Sequence, residues 1–467
     1  MKKRMLSIVL AAAMLLSVMA CAVPAFAAPQ KQKDGFMLGA ATAAYQCEGN
    51  NIYSDCWAQE NMKNTSYVEK SGPAVDHYHH YKEDIKMLAD AGLNAYRFSI
   101  EWSRIEPEEN KFNEKEMQHY LDVIQCCKDN GVTPVVTLMH FSSPTWLIKK
   151  GGWDSVSTIN YFKQYVEYVM QHVGSKVPYI CTINEANMRK EMLSIIGSYA
   201  TTALSGSQDS GSQSKTETGS QEEGQNTGVQ VGVNTSAGLN LPGMMKENIQ
   251  VFGTPMPATF LMPGTDLSDQ IIIKCHQAAK DIIKKYSPNT KVGLTLSLHD
   301  IQADKGGELW AKKAWNTEFT HYLPYIKDDD FIGVQNYTRA VYGPKGQEPN
   351  PAGAKLTQMD YEDYPQALEH VIRKVHEAYK GDIVVTENGI ATSNDQDRVA
   401  YINTALNGVR ACLRDGIPVK GYFYWSLLDN FEWQQGFSKT FGLISVDRST
   451  MKRTAKPSLY YLGSQKI

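Results

Sequence analysis

Val384-Val385-Thr386-Glu387-Asn388-Gly389 and Thr182-Ile183-Asn184-Glu185-Ala186 are the two stretches on which the reading of the fold turns. In each, a glutamate stands at the end of a short β-branched, apolar run, where a buried strand stops and a loop begins. A parallel barrel opens all its strand C-termini onto one face, and the chemistry sits on that face. Two carboxylates from different strands of that face are what acid–base cleavage of a glycosidic bond requires. A single glutamate of this kind reads as a solvated loop acid. Two of them, each beside an asparagine and set in a repeating strand–helix pattern, read as a pair.

That repeating pattern extends outward from both motifs. Apolar, β-rich runs fall near Phe36–Ala44, Asn94–Ile100, Pro134–His140, Tyr179–Asn184, Val292–Ser297, Phe331–Tyr337, Ile383–Glu387 and Lys420–Ser426. Between them lie segments of helical period: Tyr81–Asp90, Glu114–Asp129, Ile159–Val173, Asp269–Tyr286, Tyr364–Tyr379 and Asp397–Arg414. Asp76 and Asn113 offer polar helix starts, and Gly92 and Gly131 offer stops. Such alternation implies right-handed crossovers and a parallel sheet. Eight units predict one (β/α)8 TIM barrel with long strand-end loops. A doubly wound open sheet is the alternative, but no strand is followed by a G-x-G-x-x-G or Walker A loop.

The chain has 467 residues, 42% hydrophobic and 21% charged, with net charge -3, an ordinary balance for a soluble globular protein. Near-neutral charge gives no reason to expect nucleic acid or an anionic membrane as partner. At the N-terminus, Lys2, Lys3 and Arg4 precede an apolar stretch from Met5 to Ala20, and Ala25-Phe26-Ala27 has the small-x-small pattern of a signal-peptidase site. Residues 1–27 are therefore expected to be a cleaved signal peptide and 28–467 one secreted domain. A lipid anchor at Cys21 is a minor alternative. The apolar stretch falls short of the ~20 residues a bilayer span needs, and no other segment suggests a span. Cleavage leaves seven cysteines, with no C-x-x-C and no paired His ligands, so buried thiols are expected rather than a disulfide scaffold or a zinc site.

One stretch interrupts the pattern. Residues 205–230 are mostly Ser, Gly, Gln, Thr and Glu, with almost nothing to bury. They read as a low-complexity insertion after the fourth strand, on the face that carries both glutamates, and as a tolerated flexible segment rather than a lid.

From about Gly35 to Leu462 the chain resembles glycoside hydrolase family 1, the β-glucosidase and β-galactosidase group. The resemblance rests on ordered blocks: Phe36-Met37-Leu38-Gly39-Ala40-Ala41-Thr42-Ala43-Ala44-Tyr45-Gln46-Cys47-Glu48-Gly49, Asp76-His77-Tyr78, Tyr96-Arg97-Phe98-Ser99-Ile100-Glu101-Trp102, both glutamate motifs, and Tyr424-Trp425-Ser426-Leu427-Leu428-Asp429-Asn430-Phe431-Glu432-Trp433. It implies a retaining β-glycosidase acting on small-molecule or oligosaccharide β-glycosides, without cofactor or metal. Glu185 matches the family's general acid/base and Glu387 its nucleophile, with carboxyl groups expected about 5–5.5 Å apart. Arg97 matches the residue that keeps the nucleophile ionised, and Tyr337 the tyrosine that donates to it. Asn184 is implied to bind the 2-hydroxyl; Gln46, His140, Glu432 and Trp433 the other hydroxyls; and Trp425 the ring floor. The charge of Glu432 favours unphosphorylated sugars.

Departures accompany the matches. Ala186 stands where the family usually has Pro, Phe141-Ser142 where Trp-Asp is usual, and Gln335-Asn336-Tyr337 where Asn-Tyr-Tyr is usual. These leave the leaving-group preference and the gluco/galacto ratio unread. A transglycosidase and a non-catalytic carbohydrate-binding barrel are the alternative readings.

Overall fold

The computed structural model describes residues 35–193, 230–234 and 238–467. The leader read at residues 1–27, Cys21 included, lies outside them, as does the 205–230 insertion except for its last residue, Gln230. Eight parallel strands close a barrel: β1 Met37–Ala41, β2 Ala95–Ser99, β3 Thr133–Met139, β4 Tyr179–Ile183, β5 Lys291–Ser297, β6 Phe331–Gln335, β7 Asp382–Asn388 and β8 Val419–Trp425. They pair in chain order, and β8 returns to pair with β1. The expected (β/α)8 architecture is the one observed.

The strands are buried almost throughout and mostly apolar, because both of their faces are covered. In β7 every residue after Asp382 is buried. On β2, Tyr96 and Phe98 stack at 5.4 Å, and the Tyr96 hydroxyl meets His77 Nε2 at 2.9 Å on the helix His77–Asp90. With a period of two, Arg97 is left on the opposite, inner face. The outer helices bury single stripes. In Ala367–Ala378 these are Leu368, Val371, Ile372 and Val375, at the i, i+3, i+4, i+7 spacing of one helical face. Each such side chain contributes roughly 1.5–3 kcal/mol, and Ile372→Ala would cost about 2–5 kcal/mol.

Boundaries differ where a turn or a side chain intervenes. The first strand ends at Ala41 rather than Ala44, because Ala44–Cys47 is already a helical turn whose first amide donates to Ser99 Oγ at 2.8 Å. The sixth ends at Gln335, leaving Tyr337 in the following loop. Helix Glu114–Asp129 has the expected bounds, and Asn113 Oδ1 accepts from the amides of Lys115 and Glu116. Asp76 does not cap in that way. It precedes its helix in the left-handed region (φ 51°), and its carboxylate bonds His79 Nδ1 at 2.6 Å.

All seven cysteines of the described residues are free thiols, and six of them are buried. Among the described residues no helix is long and apolar enough to cross a membrane.

Candidate active site

Glu387, one residue before the end of β7, is anchored from β2 and from the loop after β6. Arg97 Nη1 on β2 donates to its Oε1 at 2.6 Å, and the Tyr337 hydroxyl, just past β6, donates to its Oε2 at 2.6 Å. Arg97 is fully buried, and its other donors are used: Nε on Thr137 Oγ1 (3.1 Å), Nη1 also on Thr386 O (3.2 Å) and Nη2 on Asn184 Oδ1 (2.6 Å). Four strands of the barrel thus converge on one guanidinium. Asn388, beside the glutamate, faces away and ties Asn336 O, Tyr401 and Tyr422 together. Gly389 follows because a Cβ there would lie 2.0 Å from Trp425 O.

Glu185 is held differently. It sits just past β4 with φ 42°, a left-handed conformation that costs a non-glycine residue about 1–2 kcal/mol. Thr295 on β5 stabilises the turn: its Oγ1 accepts the Glu185 amide (3.1 Å) and its carbonyl accepts the Ala186 amide (3.0 Å). The Glu185 side chain is buried, and Oε2 has no protein partner. Asn184 is pinned through its oxygen alone, which accepts from Arg97, from Gln335 Nε2 (2.7 Å) and, at 3.4 Å, from Thr295 Oγ1. Its buried Nδ2 is left as an unused donor.

The remaining residues line the same end of the barrel. Gln46 Nε2 donates to Phe431 O (2.8 Å) and Glu432 Oε2 (3.2 Å), leaving its own buried Oε1 unpaired. His140 Nε2 lies 4.0 Å from Glu387 Oε1. The His140 ring stacks near Trp425 (5.7 Å) and Trp433 (6.2 Å). Trp433 also stacks on Tyr45 at 5.9 Å and 7°, and Phe141 packs between Trp433 (5.2 Å) and Phe260 (5.7 Å). Unpaired donors and acceptors beside aromatic faces suit a ligand that is polar at its rim and flat on its face, since a buried polar atom without a partner is otherwise costly.

The electrostatics separate the two glutamates. Burial, then the charges of Glu387 and Glu432, push Glu185 well above the ordinary carboxylate range, against the pull of Arg97. Burial raises Glu387 as well, but the Arg97 charge and the hydrogen bonds from Tyr337 and Arg97 draw it back. The shared proton therefore resides on Glu185 and the charge on Glu387. For Arg97, burial works against the charge, yet the Glu387 carboxylate together with Cys181 offsets this and raises it. Burial and the nearby carboxylates lift Tyr337 far above its usual range, so it stays a hydroxyl donor. Burial, helped by Arg97, keeps His140 neutral. Burial pushes Glu432 up to about 7, opposed by a hydrogen bond from the Gly232 amide. Among the described residues, no group of three or more His, Cys, Asp or Glu is arranged to hold a metal ion.

The structure gathers Arg97, Asn184, Glu387, Tyr337 and His140 into one contact network, with Gln46 joined to Glu432 and with Trp425 and Trp433 each stacked near His140. Sequence reasoning missed Thr295, Gln335 and the Gln230–Asn234 segment. Gln335 and Tyr337 lie in the altered Gln335-Asn336-Tyr337 stretch: Gln335 faces Asn184, Asn336 turns outward to Leu298 O and Thr338 O, and Tyr337 faces Glu387. A glutamine at the end of a buried strand was the available signal for Gln335. Thr295 and Gly232 carried none.

The chain is similar to known glycosidases in sequence and fold. Residues 29–215 and 316–465 match the family model for glycosyl hydrolase family 1. β-Glucosidase A of Acetivibrio thermocellus is 30% identical over 458 residues, which span 91% of this chain and 96% of the relative. A 6-phospho-β-galactosidase of Clostridium acetobutylicum is 28% identical over 474 residues, covering 92% and 95%. A solved β-glycosidase structure superposes with a TM-score of 0.80 at 40% identity, covering 93% of this chain and 96% of its own.

Proposed function

The chain belongs to glycosyl hydrolase family 1, and from that premise we propose that it is an exported, retaining β-glycosidase that hydrolyses unphosphorylated β-glucosides or β-galactosides. In the first step the Glu387 carboxylate attacks the anomeric carbon, the glycosidic C–O bond breaks, and the departing oxygen takes the Glu185 proton. Esterification removes the Glu387 charge, which after burial had raised Glu185 most, so its acidity increases and it is left as a carboxylate. In the second step Glu185 takes a proton from water, the hydroxide oxygen joins the anomeric carbon, and Glu387 leaves as a carboxylate. The unused Nδ2 of Asn184 is the donor for the 2-hydroxyl. Gln46, His140, Glu432 and Trp433 take the remaining hydroxyls, and Trp425 underlies the ring.

The carrying observation is the double anchorage of Glu387 by Arg97 and Tyr337, across from a buried Glu185 whose Oε2 has no partner. A 2-deoxy-2-fluoro-β-glucosyl fluoride slows both steps and should trap the ester. The modified peptide is expected to carry the sugar on Glu387. A sugar mapped to any other residue, or turnover of the probe without a labelled peptide, would withdraw the nucleophile role.

Family membership leaves the phosphate question open, since one relative is named for a 6-phosphosugar. Glu432 supports the plain sugar: a 6-phosphate would bring like charge to a buried carboxylate. An aryl β-glucoside should be cleaved far faster than its 6-phosphate, and the reverse order would reject this assignment. Export is supported by the Lys2-Lys3-Arg4 start and the Ala25-Phe26-Ala27 site. Sequencing the secreted protein should find Ala28 first, and an uncleaved N-terminus would exclude it.

A further inference from the structure

The segment Gln230–Asn234 follows a stretch with nothing to bury, yet it is seated directly on the glutamate pocket. Gln230 is 5% exposed. Its Oε1 accepts the amides of Tyr337 (2.7 Å) and Thr338 (3.2 Å), and its Nε2 donates to Ser297 Oγ (3.0 Å) at the end of β5. Two residues on, the Gly232 amide donates to Glu432 Oε1 at 3.0 Å, and the Gly232 carbonyl accepts the Gln434 amide at 2.9 Å. Val233 O accepts from Gln435 Nε2 (2.7 Å). The Asn234 amide donates to Gln434 Oε1 (2.8 Å), and Asn234 Nδ2 donates to Ser66 O (2.8 Å). Five residues thus bridge the loops that follow β5, β6 and β8.

We propose that this strap sets how the pocket reads the sugar's 4- and 6-hydroxyls, with Gly232 as the specificity-determining position and Gln230 as a positioning residue for Tyr337. The inference rests on the reading of Glu432 as the acceptor for those hydroxyls. A carboxylate offers about four lone-pair sites. In Glu432 one site on Oε1 is taken by the Gly232 amide and one on Oε2 by Gln46, so the two that remain point in fixed directions. Without the amide the carboxylate is held by Gln46 alone, at 3.2 Å, and its charged form loses its backbone donor. Only glycine fits. A Cβ on residue 232 would lie 2.5 Å from Glu432 O, 2.8 Å from Cγ and 3.0 Å from Oε1, and its φ is not in the left-handed range, so the obstacle is contact alone.

The deciding measurement is kcat/KM on 2,4-dinitrophenyl β-glucoside and on its 4-deoxy and 6-deoxy analogues, after melting curves have shown each variant to be folded. Gly232→Ala should lose on the order of 10- to 100-fold on the glucoside and several-fold less on each deoxy sugar, which keeps only one of the two hydroxyls for Glu432 to hold. Asn234→Ala releases the strap from Ser66 without a clash. It should give the same selective loss in weaker form, and it carries the test if Gly232→Ala does not fold. Gln230→Ala should lower kcat on all three sugars alike, because its effect runs through Tyr337. A uniform loss in both Gly232→Ala and Asn234→Ala, or no loss in either, would overturn the strap. If the native protein itself cleaves the three sugars equally well, the role of Glu432 falls first and the strap with it.

Discussion

The two glutamates at the mouth of the barrel are the same residue type at the same depth, and they are built in opposite ways. Glu387 lies within β7, just past a register shift in that strand, and receives two charged or hydroxyl donors at 2.6 Å. Glu185 sits on a left-handed turn, is supported only through its backbone by Thr295, and keeps one carboxylate oxygen without a partner. Burial raises both, and only the first has donors that hold the rise in check. Protonation is therefore assigned by neighbours rather than by residue type: a shell of donors makes an anion, and its omission makes an acid.

Removing the unsupported member sharpens the contrast most. Glu185→Gln should lower kcat/KM by on the order of 10²–10⁴-fold on alkyl glycosides or cellobiose, whose leaving groups need a proton. On dinitrophenyl glycosides, which need little protonation, the loss should be small. Equal losses on both substrate types would take Glu185 out of the acid role.

Stripping one donor from the supported member comes next. Tyr337→Phe should cost about 10- to 100-fold in kcat. Its hydroxyl lowers Glu387, so its removal raises that group in the folded protein. The form competent to attack then appears only at higher pH. The acidic limb of the kcat/KM profile should move upward, and an unmoved limb would mean that the hydroxyl does not tune Glu387.

The smallest effect is on stability and concerns a third carboxylate. Burial puts Glu432 at about 7 in the folded chain, against about 4.3 when unfolded. Between those values the folded state holds the extra proton, so the contribution is fully present below the unfolded value and is lost as pH rises through about 7. Glu432→Gln should therefore raise Tm by a degree or two at pH 8 and give no gain at pH 5. A calorimetric gain that is the same at both pH values would show that the carboxyl does not titrate in this range.

The barrel was legible in the sequence because its strands are covered on both faces and its helices on one, which writes short apolar runs alternating with helical stripes into the chain. Residues at strand ends were legible for the same reason, since the pattern says where a strand stops and hence which face Glu185 and Glu387 share. Residues that act through a partner were not. Thr295 and Gln335 matter because β4, β5 and β6 are neighbours in space, and no local pattern marks a threonine that receives another strand's amide. Gln230 and Gly232 were hidden more deeply, at the margin of a stretch whose composition suggests nothing to bury. Their contacts depend on where the loops after β6 and β8 lie rather than on any period of their own.

The Arg97–Glu387 bond joins residues separated by 290 positions. A ribosome therefore releases the cation long before the anion that satisfies it, and until then β2 carries a buried-type charge with no counterpart. An N-terminal half-barrel should be unable to settle on its own, and adding the missing C-terminal half should restore both halves together. In refolding, turnover should recover later than the helical signal, because chemistry waits for the last strands to meet the second.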